Sequence, residues 1–440
     1  MTGYRELLGH GGFRPYLLAG AFSFAAPSTL VVILVWATAV AYPSGSGEMV
    51  PFSALALALL GLSATVPTLA AAVVSGAIAD RFDRRRLMQI TNLTALLGTA
   101  LLAVDLLMLP GTRIAFPGPS GFYLPLWMVI AFPLWAAVTT SATLFRPAFN
   151  AAIPTLLSTA DLGRANGLIY GIATGASVAG SLLATGLITW ASEGAAVAVP
   201  LGLFAVTGVA IAAFGLPRPI VKARRTTRFS ADLSGGYRYL WRNRALLQVT
   251  VASLLINFLS ALAFVELGLY VRDWLGVGEA ILLGAMTTGA TAGSGLGTIL
   301  AGRIRFEERA GRFLIVLTVL QGVAIFSLAL SRSVLLSVPL MFLFGLFPGM
   351  GSTVFLATIQ ATVPNELLGR VLAADEVGSY ALIPTGQYAG GLLTATAGVQ
   401  AAYLAAGLGT VAIGGGMAAF RELRALGFRP RSEAPAAAPG

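Results

Sequence analysis

Residues 15–41 read PYLLAGAFSFAAPSTLVVILVWATAVA, a stretch without a single charged side chain. A transmembrane helix needs about 20 apolar residues to cross about 30 Å of hydrocarbon. The stretch is long enough to span a bilayer and is longer than the apolar core of a signal peptide, which is about 7–15 residues. We therefore expect an uncleaved transmembrane helix here, although Ala37, Thr38 and Ala39 resemble a cleavage site.

Eleven further apolar runs follow this one along the chain. We number the twelve runs as spans 1 to 12; they cover residues 15–41, 51–79, 87–109, 122–145, 165–190, 195–216, 246–271, 280–302, 313–331, 333–361, 371–396 and 399–420. Only Ser331, Arg332 and Ser333 separate spans 9 and 10. The sequence therefore predicts an all-α integral membrane protein with twelve transmembrane helices.

The composition also indicates a lipid environment. Hydrophobic residues make up 57% of the 440 residues and charged residues 10%, whereas soluble domains have about 45–50% and about 25%. The chain has no cysteine, and its single histidine is His10, so a disulfide framework, a thiol nucleophile and a His/Cys metal site are excluded. The net charge of +10 falls between apolar runs and forms no soluble basic face. We expect no cofactor, no metal and no nucleic-acid partner.

The basic residues are distributed unevenly between alternate loops. If the N-terminus is inside, 25 of the 28 lysines and arginines lie on the inner side, and only Arg113, Arg272 and Arg332 lie outside. Cytoplasmic loops carry such an excess of positive charge. The distribution supports the count of twelve independently of hydropathy. It predicts a multi-pass protein of the plasma membrane with both termini in the cytoplasm.

The longest polar stretch divides the spans six and six. We expect residues 1–216 to form an N-terminal six-helix bundle and residues 245–420 a C-terminal six-helix bundle. Residues 217–244 form a basic cytoplasmic linker, whose charge either contacts anionic lipid headgroups or only sets the topology. Residues 421–440, rich in proline and alanine, are expected to be a disordered cytoplasmic tail.

Short segments recur at matching places in the two halves. Gly163-Arg164 precedes span 5, and Gly369-Arg370 precedes span 11. A proline follows the preceding span in each half, at Pro154 and at Pro364. Repeats of this kind favour two pseudo-symmetric bundles with a substrate path between them.

The loop between spans 2 and 3 carries the most specific motif. Residues 76–86 read GAIADRFDRRR. This segment resembles the cytoplasmic loop signature of the major facilitator superfamily, in which a glycine precedes Asp-Arg and an Arg-rich turn. Asp83 departs from the family pattern, which usually has a small residue there. The resemblance implies the major facilitator fold and membrane transport by rocking of the two bundles, and not an enzyme.

Three further segments resemble the exporter branch of that superfamily that includes the enterobactin and macrolide exporters. They are Arg146-Pro147-Ala148-Phe149 after span 4, residues 237–244 before span 7, and residues 363–371 before span 11. The resemblance covers most of residues 1–420 and implies export of a small molecule. Antiporters of the superfamily often have a Gly-Pro step in span 5. Here Ala176 and Ser181 follow Gly175 and Gly180, so this sign of antiport is missing.

Charged residues near the inner ends of the spans form a candidate cytoplasmic gate. Ion pairs and helix-terminus contacts there would hold the two bundles together and break when they rock. The residues that we assign to this gate and loop motif are Gly76, Asp80, Arg81, Arg84, Arg85, Arg146, Asp375 and Glu376. The alternative is that the arginines only fix the orientation.

Acidic residues inside hydrocarbon are costly and are candidates for proton coupling. Glu266 lies in span 7, which the family places on the central cavity, and Tyr270 is its expected hydrogen-bond partner on the same helix face. Asp105 lies in span 3, a peripheral helix of this fold, and is the second candidate. An interfacial or structural role remains open for both.

Polar and aromatic residues on spans 1, 4, 7 and 10 would line the central cavity by family analogy. The candidates are Ser23, Ser28, Trp36, Thr139, Thr143 and Gln360. Asn257 lies nine residues before Glu266 and therefore on the other side of a helix that turns 100° per residue. We expect it to be a contact between helices.

These observations predict a secondary transporter that exports a small organic molecule by proton antiport and alternating access. Its expected partners are the substrate, protons and membrane lipid, and we expect a monomer. An importer or uniporter of a small amphiphilic solute with the same fold remains an alternative. A receptor or scaffold would be expected to have a sizeable extramembrane domain, and a channel a recognisable filter segment.

The Asp80→Asn variant tests the gate. If Asp80 is part of a charge network that holds the inner ends together, transport should fall by about an order of magnitude, the size of a typical coupling free energy between conformations. The topology, measured by labelling of both termini, should stay the same. Normal turnover in this variant would refute the gate.

Overall fold

The computed structural model describes residues 8–9, 12–42, 50–108, 113–115, 123–157, 162–213, 229–304 and 309–427. In the first half, the helices are Phe13–Val40 (span 1), Val50–Arg81 (span 2), Arg84–Met108 (span 3), Leu126–Leu156 (span 4), Leu162–Trp190 (span 5) and, for span 6, Glu193–Ala196 followed by Ala198–Ala213.

In the second half, span 7 consists of Arg244–Phe264, Leu267–Leu269 and a π-helix at Tyr270–Trp274. The next helices are Ala280–Ala301 (span 8), Ala310–Leu330 (span 9) and Val334–Thr362 (span 10). Span 11 is divided into Asn365–Tyr380 and Ile383–Ala397, and span 12 is Val399–Ala419. Helices thus occupy each of the twelve predicted runs, and the all-α fold class is confirmed.

Ten of the helices in the described ranges are long and apolar enough to cross a membrane. Span 8 is not among them because its five glycines and four threonines lower its mean hydropathy. Span 11 is not among them because it is divided into helices of 16 and 15 residues. The interruption coincides with Pro384 near the start of the second helix, where proline fits best.

The exception to the all-α prediction is a small hairpin between spans 3 and 4. Strands β1 (Arg113–Ala115) and β2 (Tyr123–Pro125) pair in antiparallel fashion, with Ile114 opposite Leu124. Both strands contain residues that favour a pleated backbone, such as isoleucine and tyrosine.

Side chains on the outer surface match a lipid environment. On span 3, Leu93, Leu97, Leu101 and Val104 follow one another at helical spacing, and each is more than half exposed. A contiguous apolar stripe of this kind would be costly in water. The chain is therefore a multi-pass membrane protein whose peripheral helices face the hydrocarbon.

The apolar cores differ at the two ends of the molecule. We call the end at which Arg84, Arg85 and Arg86 begin span 3 the basic end, and the other the opposite end. At the opposite end, one continuous core joins residues of both bundles, for example Ile33 and Leu60 with Leu283 and Tyr270. At the basic end there are two separate cores, one for spans 1–6 and one for spans 7–12. Among the described residues, the bundles are therefore packed together at one end only.

Two segments differ from the predicted boundaries. The linker predicted at 217–244 contains a helix, Phe229–Arg242, whose Gly236 packs on Arg370 and Ala374 of span 11. The tail predicted to be disordered from 421 begins with the short helix Arg421–Arg424. Leu423 is fully buried there, and the Gly311 amide donates to the Leu426 carbonyl at 2.9 Å. The burial of Leu423 and this hydrogen bond extend the folded bundle beyond residue 420. Residues 217–228 and 428–440 lie outside the described residues.

Candidate functional site

A cavity of about 390 Å³ lies in the basic half of the C-terminal bundle. It is lined by spans 7, 9, 10 and 11, with single contributions from spans 8 and 12. At its rim, the exposed fractions of Leu356 and Tyr380 are 44% and 43%. The volume is within the usual range of about 300–1,000 Å³ for small-molecule sites.

Close packing of spans 8 and 10 forms one wall of the cavity. Gly293 and Gly297 of span 8 lie directly against the backbone at Phe342 and Leu346, and Gly345 and Gly349 of span 10 lie against Ala290 and Ser294. A methyl group at any of these positions would overlap main-chain atoms. Small residues four apart allow helices to approach at this distance in a membrane. The other face of span 10 is thereby left to line the cavity.

The polar groups of the cavity connect spans 7, 9 and 11. The Asp375 carboxylate accepts hydrogen bonds from the hydroxyls of Thr250 at 2.6 Å and Ser379 at 3.3 Å. The Asn257 amide donates to the Ser379 carbonyl at 3.0 Å, which confirms that Asn257 is a contact between helices. The Gln321 amide donates to the Ser260 hydroxyl at 3.1 Å. Most of the other lining residues are apolar.

At the opposite end, small residues bring the two bundles into contact. Gly284 of span 8 touches Thr185 of span 5, and a Cβ added at Gly391 of span 11 would lie 2.5 Å from the Ala58 Cβ of span 2. A Cβ added at Gly268 would lie 2.9 Å from the Ala39 Cβ of span 1. We call Gly268, Gly284 and Gly391 the closure glycines. They close the end of the molecule away from the cavity.

An arginine reinforces this closure. The Arg272 guanidinium, in the π-helix that ends span 7, donates to the carbonyls of Ala39 and Tyr42 at the end of span 1, the second at 3.0 Å. Asp273 holds the same guanidinium with bonds of 2.6 and 2.8 Å. A cation at a helix C-terminus is favoured by the helix dipole. Arg272 therefore links the two bundles at the opposite end.

Glu266 lies next to this closure and not in the cavity. It is fully buried at the interruption between Phe264 and Leu267, and neither carboxylate oxygen has a hydrogen-bond partner among the described residues. The predicted partner Tyr270 is wrong: its hydroxyl donates to the Leu328 carbonyl at 2.9 Å and bonds with Ser337. The Tyr270 hydroxyl instead connects span 7 to spans 9 and 10.

The hydroxyl of Tyr403 is another buried polar group in this region. The Tyr403 ring lies 4.7 Å from that of Tyr270, and its hydroxyl has no described hydrogen-bond partner. Asp105, the second coupling candidate, is 4% exposed, and its two oxygens also lack partners in the described part of the chain. It is in span 3, apart from the cavity.

The residues predicted to line a cavity are placed mainly inside the N-terminal bundle. Ser23 and Trp36 are buried, with 3% of each exposed. The Ser28 hydroxyl donates to Ser177 of span 5 at 2.9 Å. Thr139 and Thr143 each donate to the carbonyl four residues earlier in span 4, and Gln360 is exposed near the end of span 10. None of the six is among the residues that line the cavity described above.

The predicted gate residues do not all come together. Arg85 donates to the Ala212 carbonyl at 2.9 Å, within its own bundle, and Asp375 lines the cavity instead of reaching a partner in the other bundle. Arg84 begins span 3, and Glu376 is exposed. The Arg146 guanidinium lies 5.2 Å from the centre of the Phe24 ring and within electrostatic range of Tyr380. The side chains of Gly76, Asp80 and Arg81 lie outside the described residues, although the helix of span 2 includes all three positions.

Comparison with known proteins agrees with this architecture. Residues 36–435 match the family described as transmembrane secretion effectors. The chain belongs to this family of the major facilitator superfamily. The expected family is thereby confirmed, and its members are transporters and not enzymes.

Relatives of this transporter are similar over most of their length. The chain is 24% identical to the uncharacterized MFS-type transporter YfiS of Bacillus subtilis, over 90% of the chain and 91% of that protein. It is 25% identical to the multidrug efflux pump Tap of Mycolicibacterium fortuitum, over 82% of this chain and 86% of that protein. It is 24% identical to the enterobactin exporter EntS of Shigella boydii, over 71% of each.

Solved structures share the fold of this transporter at lower sequence identity. The D-xylose–proton symporter has a TM-score of 0.69 at 12% identity, over 94% of this chain and 98% of that chain. The nucleoside transporter NupG has a TM-score of 0.66 at 12% identity, over 92% of this chain and 99% of that chain. These similarities show the fold alone.

Sequence reasoning missed the residues that line the cavity and those that close the opposite end. A signal for the cavity was present in span 7, where Thr250, Ser253 and Asn257 share one helix face at spacings of three and four residues. Gln321 and Tyr380 gave no comparable signal. The closure glycines could not be separated from the other glycines, because their role depends on which helix faces them.

The closure glycines predict a conformational effect that an introduced cysteine can measure. Thr185→Cys provides the only thiol in a chain without cysteine, at a fully buried position that touches Gly284. Adding Gly391→Ala should overpack the closed end by about 1–3 kcal/mol. The rate of labelling by a membrane-impermeant thiol reagent should then rise by about tenfold.

Gly415→Ala is the matched control, because a Cβ at Gly415 in span 12 meets no atom within 4 Å. It should leave the labelling rate unchanged. Equal labelling in the Gly391→Ala and Gly415→Ala backgrounds would show that Gly391 does not hold this end closed.

Proposed function

We propose that this transporter exports a small organic molecule from the cytoplasm in exchange for protons, by alternating access. The basic end and both termini are cytoplasmic, in line with the positive-inside distribution of arginine. The transporter acts as a monomer in the plasma membrane, surrounded by lipid.

The observation that carries the proposal is the difference between the two ends. One continuous apolar core and the closure glycines join the bundles at the opposite end, whereas the cores are separate at the basic end, where the cavity lies. With the basic end in the cytoplasm, this arrangement is an inward-facing state that can load substrate from the cytoplasm. Rocking of the two bundles would separate them at the opposite end and pack them together at the basic end.

The direction of transport is supported by relatives. The chain resembles Tap and EntS, whose names describe efflux and export, along most of its length. The D-xylose–proton symporter shares only the fold, and an importer or uniporter of an amphiphilic solute is therefore the alternative function.

Comparison of metabolites on both sides of the membrane tests the direction. Cells that produce the protein and cells that lack it are compared for all small molecules, in the cytoplasm and in the medium. Export predicts a compound that is depleted inside and enriched outside when the protein is present. Accumulation inside would instead establish the importer.

Glu266 is the proposed proton-coupling residue. An ionised carboxylate would be costly at a fully buried position without a hydrogen-bond donor, of the order of several kcal/mol. The closed opposite end therefore requires that Glu266 carry its proton. Opening this end would admit water to the interruption in span 7 and let the proton exchange with the outside. Asp105 is the second candidate, on a peripheral helix.

The Glu266→Gln variant should mimic the protonated residue permanently. In vesicles loaded with the compound found above, transport driven by an imposed proton gradient should fall by about 5–150-fold, the range of ordinary coupling free energies. Exchange of labelled for unlabelled compound without a gradient should continue, because it needs no change of protonation.

Glu279→Gln is the control for this experiment. Glu279 is an exposed acid just before span 8, at the same end of the molecule, and its side chain caps no helix amide. It should transport normally. Full proton-driven transport in Glu266→Gln would remove Glu266 from the coupling mechanism and leave Asp105→Asn as the next variant to measure.

A further inference from the structure

The charge distribution in the cavity is one-sided. Of the side chains that line it, Asp375 is the one with a formal charge, and no lysine or arginine is among them in the part of the chain that the structure describes. Asp375 also forms no ion pair with a described residue. Its neighbour Glu376 is exposed and adds negative charge at the same helix turn. The cavity therefore holds a carboxylate without a counter-ion.

Two hydrogen bonds hold this carboxylate in a fixed position. Hydroxyl donors from Thr250 on span 7 and Ser379 on span 11 bond to the same oxygen, Oδ1, at 2.6 and 3.3 Å. These two donors fix the position of the Oδ1 atom. The second oxygen, Oδ2, accepts from no donor among the described residues and is free to meet a ligand.

The rest of the cavity wall is suited to an apolar molecule that carries a positive charge. Phe347, Phe355, Leu317 and Leu372 are among the apolar side chains that surround Asp375. The Tyr380 ring is exposed at the rim, where its face can attract a cation. A strongly hydrated ion such as a sugar phosphate would lose its water against these walls without compensation.

A positive charge on the other bundle lies close to the rim of the cavity. Arg146 is exposed, its guanidinium lies over the Phe24 ring of its own bundle, at 5.2 Å, and it is within electrostatic range of Tyr380. Arg146 does not line the cavity, whereas Asp375 does. A ligand inside the cavity therefore meets the carboxylate directly and the arginine only near the rim.

From this arrangement we propose that the cavity binds amphiphilic organic cations, with Asp375 as the counter-ion and the Tyr380 ring as a second contact. The proposal rests on the proposed function in one respect, namely that this cavity is the substrate chamber of the transporter. It names the substrate class that the chamber accepts.

Equilibrium binding to the purified full-length protein in lipid nanodiscs tests this proposal. The probes are tetraphenylphosphonium and tetraphenylborate, which have nearly the same shape and opposite charge, and empty nanodiscs correct for partition into lipid. The protein should bind the phosphonium at least tenfold more tightly than the borate, about 1.4 kcal/mol. Equal binding of the two ions, or tighter binding of the borate, would overturn the proposal.

Three variants test which acidic residue provides the negative charge that binds the cation. Asp375→Asn keeps an oxygen that can accept from Thr250 and Ser379, and it should lose at least tenfold in affinity for the phosphonium. Asp375→Glu keeps the charge and should retain most of the binding. Glu422→Gln removes an exposed acid from the same end of the same bundle, outside the cavity, and should bind normally. Unchanged affinity in a folded Asp375→Asn protein, with a melting temperature close to that of the unmodified chain, would overturn the assignment.

Binding at equilibrium requires neither a proton gradient nor a direction of transport. A transporter that binds the phosphonium but shows no proton-driven export would contradict the proposed function and leave this inference in place. A transporter that exports another compound but does not distinguish the two probes would contradict this inference alone.

Discussion

The arrangement of the apolar core is the constraint on which the other features of the structure depend. The helices of both bundles share one continuous core at one end, and at the other end the core divides between the two bundles. Apolar contact between helices in a membrane gains little from the hydrophobic effect and depends on close packing. The bundles are therefore held together where small residues allow backbone approach, at Gly268, Gly284 and Gly391, and can separate where they do not.

This constraint explains why polar groups differ in their surroundings. At the joined end, Glu266 and the Tyr403 hydroxyl are buried without described partners, and their burial is tolerable only while the carboxyl group is neutral. At the separated end, Asp375 has two hydroxyl donors and borders a cavity. Two carboxylic acids are thus placed in different environments, one without described donors and one with two hydroxyl donors beside a cavity. Acids placed in such different environments can have different roles.

Much of the architecture could be predicted from the sequence, because it follows from local composition. The twelve apolar runs, the short turn at Ser331–Ser333 and the loop motif at residues 76–86 each depend on residues close together in the chain. The break in span 7 was not predicted. Glu266 and Tyr270 were predicted to be hydrogen-bond partners, but the Tyr270 hydroxyl bonds to Leu328 and Ser337, which are distant in sequence. The partners of Gly284 and Gly391 are also more than 90 residues distant in sequence, so no local pattern identifies them.

Short segments recur in the two halves, but different side chains stand at matching positions. This difference accounts for the position of the cavity. Aligning Gly163-Arg164 with Gly369-Arg370 places Ile169 opposite Asp375 and Tyr170 opposite Glu376. Ile169 is buried in the basic-end core of its bundle. The Tyr170 ring stacks on Phe24 at 5.8 Å, and Phe24 meets Phe149 at 5.4 Å.

Aromatic side chains therefore fill the region of the first half in which the second half has Asp375 and a cavity. A repeated fold that began with two equivalent halves would offer two equivalent chambers. Here aromatic side chains fill this level of the N-terminal half, and the cavity described above lies in the C-terminal half. The two halves differ at two adjacent positions at the start of the eleventh span, where acids stand in place of an isoleucine and a tyrosine. Apolar side chains at those positions can complete a core, whereas a carboxylate needs donors or water and leaves space that a ligand can occupy.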